Sequence, residues 1–289
     1  MKRTTFWIIA ISMLGIGFLV GSYFFSERDV ADEATRPYAL ELLNSVLWMQ
    51  TGAEWRALTR QTYRQGERML DAALEDASWT AALEQTEDPS GLPPAVILDV
   101  DETTLDNSSF EAQLITQDAT YQTEPWHEWC RLEQAPPIPG AVEFTQYAAE
   151  RGVTVFYLTN RRHEVEEATR RNLEKHGFPL DSEEDTLLTR AEREEWDVSD
   201  KSGRRAEIAS RYRVLLVFGD DLNDFVSGSR ASLEERDALV EENDAYWGSR
   251  WFMLPNPSYG GWEGALTEFD YGLDPEPRLR RKYEHLRLP

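Results

Sequence analysis

Cysteine is nearly absent: Cys130 stands alone, so no intrachain disulfide can form, and no cysteine near the amino terminus can carry a lipid. Histidine is scarce too. His127, His163, His176 and His285 have no metal-ligand spacing, which argues against a zinc centre, and the lack of a G-x-S-x-G elbow argues against a serine hydrolase of that kind. The sequence also lacks internal repeats and low-complexity tracts. The largest shortfall is in positive charge. Against 53 Asp and Glu stand only 30 Lys and Arg, and the resulting −23 would repel the phosphates of DNA or RNA, so a nucleic-acid polymer is excluded as the expected partner. An anionic small molecule would need a local positive pocket within this negative surface.

What the chain does have is one long uncharged run. Lys2 and Arg3 precede an apolar stretch from Phe6 to Phe25, and roughly 20 residues at 1.5 Å each span about 30 Å of hydrocarbon. The basic flank favours an inside amino terminus, which puts everything from Ser26 onward on the exported side, periplasmic or outer-surface. A cleaved signal peptide is the rival reading; Tyr23, Phe24 and Phe25 fit poorly around a small-residue cleavage site. The 289 residues divide into a membrane anchor or signal segment (1–25), a helical element and linker (26–90), an α/β core (91–273) and a tail (274–289), the last either loose or strapped across the surface.

From Arg36 to about Asp76, Leu40, Leu43, Leu47, Trp55, Leu58, Met69 and Leu70 recur at near-helical spacing and predict two helices, with Gly52 and Gly66 as the breakers. Beyond the linker ending SGLPP, apolar runs alternate with amphipathic stretches: AVILDV, AVEFTQYAAERG, VTVFYLTN, HEVEEATRRNLEKHG, TLLTR, GRRAEIASRY, RVLLVFGD, RWFMLPNP. Such alternation predicts a Rossmann-like, mostly parallel sheet with helices on both faces. Ligands then bind at the carboxyl ends of the strands.

The stretch AVILDVDETTLDN poses the functional question, because a strand-like run ends in Asp99 and is followed by Asp101, Glu102 and Asp106. Like charges at about 4 Å repel by about 4 kcal/mol at an effective dielectric near 20. Something must offset that repulsion. A calcium loop fails, since Thr104 stands where the EF-hand needs Gly and Phe110 where it needs Glu. Other strand ends carry similar chemistry: Thr159 and Asn160 end VFYLTN, Asp220, Asp221 and Asp224 end VLLVFGDDLND, and Lys201 opens the helical stretch before that strand. In a parallel sheet these tips share one edge. Mg²⁺ suits such a crowd of oxygens, bridges carboxylates to phosphate, and would let a carboxylate attack phosphorus despite their repulsion.

The set Asp99-x-Asp101-x-Thr103, Thr159, Lys201, Asp220 and Asp224 resembles the four motifs of the haloacid dehalogenase (HAD) superfamily of phosphotransferases. ILDVDETTLDNS, TNRR, GDDLNDF, LPNPSYGGWEGAL, WMQTGAEWRALTRQTY and PPIPGAVEF are together similar to the class C acid phosphatases, the exported phosphatase and 5′-nucleotidase family, from about Leu40 to Leu273. That resemblance implies an HAD-like core and a phosphomonoesterase acting on nucleoside 5′-monophosphates or aryl phosphates. It further implies Asp99 as nucleophile, Asp101 as acid and base, and Thr159, Asn160 and Lys201 on the phosphoryl oxygens. Mg²⁺ would be bound by Asp99, Asp220, the Asp101 carbonyl and, through water, Asp224, which alternatively holds Lys201. A homodimer is expected on the same ground. Two departures stand out: the missing lipid-bearing cysteine, and Asp221 where the family commonly has asparagine, a change expected to bear on metal binding.

Among the aromatics, Phe110, Trp126 and Tyr259 are the candidates to stack on a nucleobase or aryl leaving group, with Trp129 and Trp262 weighed beside them. Arg161, Arg162 and Arg204 are candidate sources of local positive potential. Two other readings share the motifs: a catalytically silent binding or storage protein on the same fold, and a phosphotransferase using the same covalent step.

Overall fold

A computed structural model describes residues 38–289; the anchor expected at 1–25 and the boundary at 25/26 lie outside the described residues. No helix among the described residues is long and apolar enough to cross a membrane. Five strands, β1 (Pro94–Leu98), β2 (Thr154–Arg162), β3 (Leu187–Arg190), β4 (Arg213–Gly219) and β5 (Trp251–Met253), form one sheet in the order β3-β2-β1-β4-β5. Every pairing is parallel. The chain leaves β1 toward β2 and β3, then returns to lay β4 on the other side of β1. That reversal opens a crevice at the carboxyl ends of β1 and β4.

Ten helices accompany the sheet among the described residues: α1 (Leu43–Thr51), α2 (Ala53–Glu75), α3 (Ser108–Gln117), α4 (Thr123–Leu132), α5 (Ala141–Glu150), α6 (Glu166–Lys175), α7 (Ser202–Ala209), α8 (Leu233–Glu242), α9 (Gly261–Leu266) and α10 (Pro275–Glu284). Alternation along β1 sends Val96 and Leu98 to one face and Ala95 and Ile97 to the other. On the first face lie Trp55, Tyr63 and Leu70 of α2 with Phe144 and Ala148 of α5; on the second lie Ile208 and Ala209 of α7. The amino-terminal helices thus share the core of the sheet. Each large apolar side chain buried there contributes about 1.5–3 kcal/mol.

Gly52 separates α1 from α2 as expected, but Gly66 lies inside α2. A Cβ at Gly66 would fall 2.4 Å from the Phe218 ring. The helix accepts a weak former, at about 1 kcal/mol relative to alanine, because its backbone must approach the sheet. In the tail, Pro275–Glu284 is helical, and Lys282 pairs with Glu41 and Glu263, strapping the helix to the amino-terminal segment and α9. Helices α3 and α4, which the periodicity did not reveal, stand beside the tips of β1 and β2.

Candidate active site

Of the four acids in the opening stretch, two face the crevice and two hold its wall. Asp99 follows β1 directly, its N–H donating to Phe218 of β4 at 2.9 Å and its carbonyl accepting from Thr104 Oγ1 at 2.5 Å. Glu102 turns the chain with a left-handed φ of 55° and accepts from the Asn107 N–H at 2.8 Å. Asp106 accepts from the Ser108 N–H at 2.8 Å, at the start of α3. Asp101 projects from the turn between them.

Asp220 follows β4, and its carboxylate accepts from Asn256 Nδ2 at 2.9 Å and Thr103 Oγ1 at 3.3 Å. Lys201 sits buried between Asp99 and Asp224, donating to both, to the latter at 2.6 Å. The second oxygen of Asp224 accepts from the N–H groups of Asp220 and Asp221 at 3.1 and 3.0 Å. This loop can close only over glycine. A Cβ at Gly219 would lie 2.3 Å from Asp224.

Carboxylate oxygens of Asp99, Asp220 and Asp224 lie within 4.8 Å of one another. Burial pushes the Asp99 carboxyl up to about 7, with Lys201 opposing and Asp224 and Asp101 adding to the rise. Asp220 is pushed well above the usual carboxylate range by burial, then by Asp99 and Asp224. Burial disfavours the charge on Lys201, but Asp224 and Asp99 outweigh it and the ammonium is held more firmly than usual. One lysine leaves this cluster short of positive charge. An all-oxygen donor set with surplus negative charge fits a hard divalent cation. Asp99 and Asp220 are the carboxylates that could hold it, because both oxygens of Asp224 are taken, one by Lys201 and the other by the loop N–H groups, whereas Lys201 takes only one oxygen of Asp99.

Thr159 lies buried at the tip of β2, its Oγ1 accepting from the Arg161 N–H at 3.0 Å and approaching Asp101 Oδ2 at 3.4 Å. Asn160, expected on the phosphoryl oxygens, has its side chain engaged elsewhere: Nδ2 donates to Ser199 O at 3.0 Å and Oδ1 accepts from Arg204 at 2.7 Å. Arg204 also donates to Thr159 O at 2.5 Å, while its Nε is buried without a hydrogen-bond partner among the described residues. Burial pulls its guanidinium down to about 10. Asp221 turns away from the acid cluster. Its carboxylate accepts from Asn223 N–H at 2.9 Å and Gly261 N–H at 2.5 Å, and Arg236 lies 3.8 Å away, so the expected bearing on metal binding is replaced by a role in seating α9.

The aromatic expectations need correction. Phe110 is 1% exposed, edge-on to Trp126 at 5.1 Å and tilted against Trp129 at 6.5 Å, so it is core rather than a substrate contact. Trp126 is mostly buried, with Arg161 5.4 Å from its ring. Tyr259 is half-buried, Trp262 exposed with its Nε1 on the Tyr259 carbonyl at 3.2 Å, and Tyr121, which nothing in the sequence singled out, is exposed 6.3 Å from Trp126. Asn107 and Asn256 were likewise missed, and Glu102 read only as one more acid of the opening cluster. Asn256 had the one usable signal, lying just past β5, the strand beside β4.

The comparisons with known proteins agree with this geometry. Residues 32–262 match the family described as HAD superfamily, subfamily IIIB (Acid phosphatase). The chain belongs to that family, and it is a phosphomonoesterase. Among solved structures it is similar to the class C acid phosphatase from Bacillus anthracis, at 30% identity over 88% of this chain and 100% of that one, with a TM-score of 0.76. The same comparison with the Bacillus anthracis class C acid phosphatase with tungstate bound gives 30% identity, the same coverage and a TM-score of 0.77. These place the chain within the class C acid phosphatases of the HAD superfamily.

Proposed function

We propose that this phosphomonoesterase is an exported, Mg²⁺-dependent enzyme that works through an aspartyl-phosphate on Asp99, with nucleoside 5′-monophosphates and aryl phosphates as substrates. The observation that carries the reading is the meeting of Asp99, Asp220 and Asp224 around Lys201 where the strand order reverses. Asp99 attacks phosphorus, and Asp101 protonates the leaving oxygen and later takes a proton from the hydrolytic water. Lys201 and Thr159 stabilise charge on the phosphoryl oxygens. Mg²⁺, when held by the Asp99 and Asp220 carboxylates and the Asp101 carbonyl, supplies the positive charge that offsets repulsion between carboxylate and phosphate dianion. Asp224 acts by holding Lys201. Tungstate in a relative, a tetrahedral oxyanion like phosphate, supports an oxyanion-binding crevice.

For the leaving group, Tyr259, Trp262 and Tyr121 offer accessible ring surface. Export rests on the apolar run from Phe6 to Phe25 and its basic flank, and a homodimer on family resemblance alone. The test is a screen of the full chain against p-nitrophenyl phosphate, nucleoside 5′-monophosphates and sugar phosphates, with and without EDTA and with an alcohol acceptor present. Release of inorganic phosphate that EDTA abolishes is expected. Turnover indifferent to EDTA, or phosphate passing chiefly to the alcohol, contradicts the reading.

A further inference from the structure

We propose that Arg161 is a positioning residue that makes Asp101 a one-ended acid and base, immobilising Oδ1 so that every proton passes through Oδ2. The proposal rests on the reading of Asp101 as the proton donor and adds to it which oxygen acts and what fixes it.

Arg161 approaches Asp101 in an unusual way. Arginine commonly grips a carboxylate as a fork, one nitrogen on each oxygen. Here only Oδ1 is engaged: Nε and Asn107 Nδ2 each donate to it at 2.9 Å, and Nη2, which donates to Asn107 Oδ1, lies 2.8 Å from it as an ion-pair contact. A carboxylate oxygen offers two lone-pair sites, so these two donors saturate Oδ1, with the guanidinium charge beside it. A proton placed there would face two donated N–H groups and the guanidinium charge. The other oxygen has only the Thr159 hydroxyl at 3.4 Å, a distance at which a hydrogen bond is weak. The carboxylate is therefore held hard at one end and lightly at the other, and the light end faces the edge that carries Thr159.

The guanidinium is itself caged. Its side chain is 1% exposed; Nη1 donates to Thr169 Oγ1 on α6 at 3.1 Å and Nη2 to Asn107 Oδ1 at 3.2 Å. Trp129 Nε1 on α4 donates to the same Asn107 oxygen at 2.9 Å, and the Trp126 ring lies 5.4 Å from the guanidinium carbon. Arg161 of β2 and Asn107 in the turn before α3 thus meet on one Asp101 oxygen, and side chains of α4 and α6 hold those two in place. This gives α4 and α6 a function: through Asn107 and Arg161 they lock the rotamer of the group that handles protons.

The proton balance follows. As an Asp99 oxygen bonds to phosphorus, the ester P–O bond breaks, its electron pair stays on the leaving oxygen, and that oxygen takes the proton from Asp101 Oδ2. In the second half the water oxygen bonds to phosphorus, one water proton passes to Oδ2, and the P–O bond to Asp99 breaks with its electron pair returning to the carboxylate. Asp101 ends protonated at the oxygen where it began.

The experiment compares leaving groups. p-Nitrophenolate departs readily as an anion, whereas an alkoxide needs its proton during P–O cleavage. Loss of a positioned general acid costs about 10²–10⁴-fold where protonation matters. We expect Arg161→Gln to lower kcat/KM for alkyl and nucleoside monophosphates by about 10²-fold or more, and for p-nitrophenyl phosphate by less than about tenfold. Added guanidinium should recover the alkyl phosphate rate in Arg161→Ala. If those variants do not fold, Trp129→Phe keeps an aromatic ring at that place but trims the indole and removes its N–H to Asn107; a smaller skew in the same direction is expected. A purely structural role would reduce all substrates alike, and equal losses across the series in Arg161→Gln and Trp129→Phe overturn the proposal. Asp101→Asn is the control that separates the two ideas. If it shows no skew, the acid assignment itself fails; if it shows the skew and the Arg161 and Trp129 variants do not, only the positioning role fails.

Discussion

Two lysines in this molecule each sit between two carboxylates, and they do different work. Lys201 joins Asp99 and Asp224 at the strand tips, where its side chain is 3% exposed and theirs 7% and 5%. Lys282 joins Glu41 and Glu263 on the carboxyl-terminal helix, where the three are 22%, 25% and 26% exposed. The contacts are equally close, 2.6 Å to Asp224 and 2.6 Å to Glu263. Solvent makes the difference. Water screens the second triad and limits each bond to about 0–1 kcal/mol, whereas breaking a buried pair leaves an uncompensated charge worth about 3–5 kcal/mol. The same three charges are a fastening at the surface and, when buried, a charged cluster in the crevice where the proposed chemistry takes place.

Breaking the buried triad gives the largest effects. Asp99→Asn should lower kcat by about 10⁴-fold or more, with an unchanged circular dichroism spectrum. Lys201→Met should cost about 10²–10³ in kcat and about 3–5 kcal/mol in urea unfolding at neutral pH, because Asp99 and Asp224 then face each other without a cation. Magnesium sharpens the contrast next. At about 100 times its Kd it should stabilise the folded chain by about 2.7 kcal/mol, seen as a rise in Tm that EDTA reverses and Asp220→Asn removes.

Smaller effects belong to the other side of the comparison. Burial, and secondarily Glu263, pushes the carboxyl of Glu111 up to about 7 from 4.5. The folded state thus holds this proton to higher pH than the unfolded state, so stability present below about 4.5 declines as pH rises toward 7. Glu111→Gln should therefore raise stability at pH 8 by about 1–3 kcal/mol and change little at pH 4. Lys282→Ala should cost about 1 kcal/mol or less, an effect that shrinks in salt, with kcat unchanged.

Much of this was legible in the sequence for physical reasons. Strands buried on both faces read as β-branched and aromatic runs, so β1, β2 and β4 and the polar residues at their tips could be placed from pattern alone. Hidden were the residues whose roles depend on a partner distant in the chain. Gly66 reads as a helix breaker until Phe218 fills the space above it. Asp221 reads as one more acid in the cluster until its carboxylate meets the Gly261 N–H. Phe110, next to the first motif, reads as a substrate contact until α4 places Trp126 and Trp129 against it. Asn107 and Arg161 carry ordinary polar side chains whose purpose appears only where they converge on Asp101.

The most direct measurement is rapid-quench mass spectrometry of the full chain mixed with p-nitrophenyl phosphate and Mg²⁺, followed by peptide mapping. The account predicts a transient gain of about 80 Da, one phosphoryl group, on the peptide containing Asp99, absent in Asp99→Asn and absent with EDTA. Phosphate on another residue, or full turnover with no phosphorylated peptide at any quench time, would contradict it.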